Sequence, residues 1–81
     1  MPYIKQKDRD RIINEGIIEG AGDLNFIITS ILNEYINQHE LSYSIINELV
    51  GVLECAKLEL YRRVASPYED IKIKENGDVY D

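Results

Sequence analysis

Five acids in the C-terminal half of this 81-residue sequence, Glu48, Glu54, Glu59, Glu75 and Asp78, have the first side chains whose spacing could be catalytic. Carboxylates spaced E-x-x-E on one helix and E-x-x-D on a second can hold Mg²⁺ for hydrolysis of a pyrophosphate. Glu75-Asn76-Gly77-Asp78 has the second spacing, but the glycine inside it breaks the helix that such a motif needs. Glu54 and Glu59 are five apart, which sends them to different faces of a helix. The acids therefore read as a solvated face. With one histidine and one cysteine, the chain lacks the parts for most nucleophilic mechanisms and for a Cys/His metal cluster, and it has no glycine-rich phosphate loop. The residues point away from an enzyme, and no cofactor or metal site is expected.

A second group suits binding. Tyr61, Arg62, Arg63 and Tyr68, with Lys57 close in sequence and Tyr3 and Lys5 from the other end of the chain, combine guanidinium groups that grip phosphate with rings that stack on bases. That mixture fits a small nucleotide-type anion. Arg62 and Arg63 would equally complement the dipole at the end of a helix, whatever the function.

Charge distribution narrows the partners. The net charge of −6 argues against general nucleic-acid binding, which is driven by basic side chains that release counterions from phosphates. All nine basic residues fall between Lys5 and Arg11 or between Lys57 and Lys74, whereas residues 12–56 carry seven acids and no Lys or Arg. The acidic middle suits a protein partner, as inhibitor, scaffold or nucleic-acid mimic. No apolar run reaches the roughly 18–20 residues of a membrane span, so a cytoplasmic location and no membrane partner are expected. The lone cysteine fits a reducing compartment, and Cys55 is expected to be a small, buried or half-buried side chain.

These side chains must be positioned by helices. Leu24, Ile27, Ile28, Ile31, Leu32, Tyr35 and Ile36 recur at helical spacing without a miss, which predicts a helix over about 23–38 capped by Gly22 or Asp23. NQHEL is a turn, where His39 is expected to be solvated. Ser42 is the expected cap of a third helix, over about 43–64. On it Ile45, Ile46, Leu49, Val50 and Val52, followed by Leu53, Ala56, Leu60, Tyr61 and Val64, form a broad stripe that predicts an antiparallel helical hairpin with the second helix. On the opposite side Gly51, Cys55, Leu58 and Arg62 lie along one line. A mid-helix glycine costs about 1 kcal/mol against alanine, so this line is read as a close approach to another copy, making the protein at least a dimer. A short first helix is expected in QKDRDRIINEG.

The last sixteen residues, SPYEDIKIKENGDVYD, support two readings. Ser66, Pro67 and Glu69 can open a helix over about Pro67 to Glu75 that Gly77 stops, with Val79 and Tyr80 returning to the core. Alternatively, Asn76-Gly77 can join two strands. An isolated hairpin is marginal in water, so the helix is favoured. Taken together, the elements predict a single all-α domain over residues 1–81.

MPYIKQKDR at the start, AGDLNFIIT in the middle and LSYSIINELVGVLECAKLELYRRVASPYEDIKIKENGDVYD at the end resemble a family of small uncharacterised proteins encoded by phages and prophages. The resemblance covers nearly the whole chain and is densest over residues 41–80. It implies a phage or mobile-element setting and brings no catalytic residues. Together with the binding residues, it leads to the expectation of a non-enzymatic accessory protein that counters host defence, sequestering a nucleotide-derived immune signal as an oligomer. The alternative is an acidic module that binds a host or phage protein.

Overall fold

A computed structural model describes residues 1–81. The chain is all-α: α1 spans Gln6–Glu15, α2 Ala21–Gln38, α3 Tyr43–Leu60, a π-helical turn Tyr61–Ala65, and α4 Ser66–Asn76. It divides into two units, Met1–Ile45 and Ile46–Asp81, with the boundary inside α3.

In the first unit, α1 follows the extended lead-in that ends at Lys5. It stops at Gly16, whose φ of 70° is left-handed and whose N–H donates to the Ile12 carbonyl. Helix α2 begins two residues earlier than its apolar pattern suggests, with Gly20 rather than Gly22 or Asp23 as its first flanking residue. Asp23 sits in the first turn, and its carboxylate reaches back to accept the Glu19 N–H at 3.0 Å. Helices α1 and α2 pack on each other, with Ile12, Phe26 and Ile27 half-buried. Ile4 lies over Gly22 so closely that a Cβ there would stand 3.2 Å from its Cγ2. His39 is exposed, yet it is not simply solvated. Its ring stacks on Tyr35 with centroids 4.2 Å apart, and its Nδ1 lies 2.8 Å from the Tyr35 carbonyl, which can only accept.

Ser42 caps α3 as expected, its Oγ accepting the Ile45 N–H at 3.2 Å. The helix does not end near Val64. From Tyr43 to Asn76 the backbone winds on without a break, and at Tyr61–Ala65 it widens so that the Ser66 N–H reaches the Tyr61 carbonyl, five residues back. Ser66 is already helical and caps nothing. The widening sits where Pro67 demands it, because proline has no N–H to give to Arg63 and its ring would clash with that carbonyl in a regular α-helix. Gly77, with φ of 91°, ends α4, and its N–H donates to the Ile73 carbonyl. The helical reading of the tail is therefore the right one, and Asn76-Gly77 makes no hairpin. Val79 and Tyr80 do not return to a core: both are about nine-tenths exposed.

No hydrophobic side chain in the chain is buried. Stripe residues of α2 and α3 such as Leu24, Ile28, Val50 and Leu53 remain exposed. Asp23 is the one buried residue.

Candidate functional site

The π turn and the first turn of α4 gather most of the expected binding residues along one helix of the second unit. Arg62 Nη2 lies 2.9 and 3.1 Å from the two oxygens of Glu59. Arg63 Nη1 is 3.7 Å from one of the same oxygens. One turn back, Lys57 Nζ is 3.3 Å from Glu54. Hydrogen bonding to Glu69, and then its negative charge, holds the Tyr61 phenol above its usual pKa. Tyr68 carries the Lys72 ammonium 5.5 Å above its ring, and Lys72 also pairs with Glu75 at 3.2 Å. Each of these cations thus has a carboxylate of its own helix in reach. Exposed pairs of this kind contribute only about 0.3–0.5 kcal/mol each, so an incoming anion could displace Glu59 from the arginines at small cost.

Tyr3 and Lys5 belong to the first unit. Tyr3 borders a shallow hollow of about 170 Å³ with Pro2, Phe26 and Arg9. Arg9 lies 5.1 Å above the Phe26 ring and donates its Nε–H to the Ile4 carbonyl. Lys5 is the extended residue before α1.

The Gly51–Cys55–Leu58 line is fully on the surface. Nothing stands within 4 Å of where a Gly51 Cβ would be, and Leu58 is exposed. Cys55 is a free, exposed thiol rather than a buried one, because the second unit offers it nothing to pack under.

The most tightly built polar cluster was not among the expected sites. Arg11 Nη1 reaches Asp23 Oδ2 at 2.8 Å and the Ile17 carbonyl at 2.9 Å, while its Nη2 binds Asp8 Oδ1 at 2.9 Å. Hydrogen bonding from Arg11 and then from the Glu19 N–H holds the Asp23 carboxyl below its usual range. The same contacts with Asp23 and Asp8 push the Arg11 pKa up. The cluster fixes the loop between α1 and α2. Two partial signals were present in the sequence: Asp8 and Arg11 at helical i,i+3 spacing, and an acid in the first turn of α2. No three His, Cys, Asp or Glu side chains converge as a metal would require, and no helix is long and apolar enough to cross a membrane.

The fold and these surfaces define a small all-α protein whose chemistry-bearing residues lie on helix exteriors. The chain belongs to a family described as Domain of unknown function (DUF6899), whose model matches residues 1–79. No curated protein and no solved structure matches it.

Proposed function

We propose that this chain is a non-enzymatic accessory protein of phage or prophage origin that works by binding, as an oligomer, in the cytoplasm of a bacterial host, and that its target is a protein. The observation that carries this reading is the complete exposure pattern of its apolar residues: no hydrophobic side chain is buried, and Ile, Leu and Val lie open on α2, α3 and α4. Apolar surface of that extent marks sites that bind other chains. The acidic run over residues 12–56 adds a charge pattern that suits a basic protein surface.

A second reading has its own observation. Arg62 and Arg63 are both about 70% exposed in the π turn, with Tyr61 and Tyr68 within two turns, and π turns recur at functional sites. On this reading the chain sequesters a nucleotide-derived immune signal, with Glu59 as the counterion that the ligand displaces. Native mass spectrometry of the purified protein separates the two. The first reading expects an oligomer without small-molecule mass, and no stabilisation by cyclic dinucleotides, ADP-ribose or NAD. Retained nucleotide-sized mass that Arg62→Ala and Arg63→Ala remove would overturn it in favour of sequestration.

A further inference from the structure

The apolar residues of the second unit recur at helical spacing along one face. Ile46, Leu49, Leu53, Ala56 and Leu60 are spaced three, four, three, four, which is the repeat of a helix that pairs with another helix. The next member of that repeat falls on Arg63, but the apolar residue is Val64, one place late. Tyr68 and Ile71 then keep the repeat with the same one-residue delay. Leu60 to Ile71 is close to three whole α-turns, so Val64, Tyr68 and Ile71 stay on the side of the helix that carries Leu60. The delay falls inside Tyr61–Ala65, where the bond from the Ser66 N–H to the Tyr61 carbonyl takes in one residue more than an α-turn does.

That line is uncovered: Leu53, Leu60, Val64 and Tyr68 are 40, 62, 59 and 59% exposed. We propose that it is the surface through which two copies of this chain pair, helix against helix. Area supports a second copy. The chain exposes 7023 Å², whereas a compact 9.4 kDa protein exposes about 5,000 Å², and two separate compact bodies of half that mass about 6,000 Å². The excess of at least about 1,000 Å² matches what each partner of a stable complex covers, about 800 Å². Charge agrees. Between Tyr43 and Asn76 stand six acids and five bases, and Glu54–Lys57, Glu59–Arg62 and Glu75–Lys72 pair within the helix. A second copy thus meets a nearly neutral helix on a chain whose net charge is −6. The pairing face is distinct from the Gly51–Cys55–Leu58 line on the far side of α3, and it does not depend on what the protein binds.

Sedimentation equilibrium on the full chain, with Leu60→Glu on the seam and Leu58→Glu on the far side, tests the pairing. The expected result is a wild-type assembly of two or more copies, a rise of at least 100-fold in its dissociation constant for Leu60→Glu, and no change for Leu58→Glu. Should Leu60→Glu lose its helical circular dichroism, hydrogen exchange of the wild type decides: amides of Leu60–Ile71 gain protection between dilute and concentrated protein. A monomeric wild type at 100 µM overturns the proposal. So does an assembly that Leu58→Glu breaks while Leu60→Glu spares it, one that neither breaks, or protection over Leu60–Ile71 that ignores concentration.

Discussion

Gly51→Ala distinguishes the two faces of α3. Gly51 lies in mid-helix, and an added Cβ there meets no atom within 4 Å. Alanine at such a position stabilises a helix by about 1 kcal/mol, since it removes backbone freedom from the unfolded chain and blocks nothing in the folded one. For a domain of this size that gain raises the melting temperature by about 4–8 °C. The assay is thermal unfolding followed by circular dichroism at several protein concentrations, because association makes the melting temperature of any self-assembling chain depend on concentration. With pairing through the Leu53–Leu60–Tyr68 face, the gain appears at every concentration and the slope with concentration matches that of wild type. If another helix instead approaches closely over Gly51, the new methyl group collides with it. The gain would then turn into a loss that grows as protein is concentrated, and that result would refute the assignment of faces.

Two further substitutions probe the winding and the buried charge. Pro67→Ala supplies the missing N–H and removes the ring that displaces the Arg63 carbonyl, so the π turn is expected to relax towards regular α-helix. Mean residue ellipticity should rise; an unchanged ellipticity would show that Pro67 is not what widens the turn. Asp23→Asn removes the carboxylate that Arg11 and the Glu19 N–H hold. Because the folded-state pKa of Asp23 lies below its unfolded value of 3.8, its contribution is fully present above about pH 4 and is lost as pH falls through the folded value. Melting temperatures from pH 7 to pH 2.5 should show the variant below wild type at neutral pH, with the gap closing under pH 4; a gap constant across that range would be the wrong result.

The helices were largely legible because local rules determine them. The seven-position stripe from Leu24 to Ile36 located α2 to within two residues at its start, and the Ser42 cap located the start of α3. Gly77 marked the end of α4 because its φ of 91° suits glycine and few other residues. The binding residues Tyr61, Arg62, Arg63 and Tyr68 were legible as a group for the same reason, being close in sequence on one helix. The Arg11–Asp23 pair was not. Its partners are twelve residues apart across a loop, and periodicity says nothing about which charge meets which across a turn. Burial was not legible either: the stripe shows which side of a helix is apolar, while what covers that side is not a local property of the helix.

Ser66-Pro67 was misread for a physical reason that bears on function. Proline is favoured at the first position of a helix and is also tolerated inside one where the turn widens, and the two uses look alike in sequence. What separates them is the apolar spacing on either side. A helix beginning afresh at Ser66 has no need to continue the phase of α3, yet Val64, Tyr68 and Ile71 continue the spacing of Ile46 to Leu60 after a single extra residue, and that residue lies in the π turn. Ile46 to Ile71 is close to seven whole α-turns, so the apolar pattern runs through Pro67 as the face of one helix, and the widening at Tyr61–Ala65 answers to the proline alone.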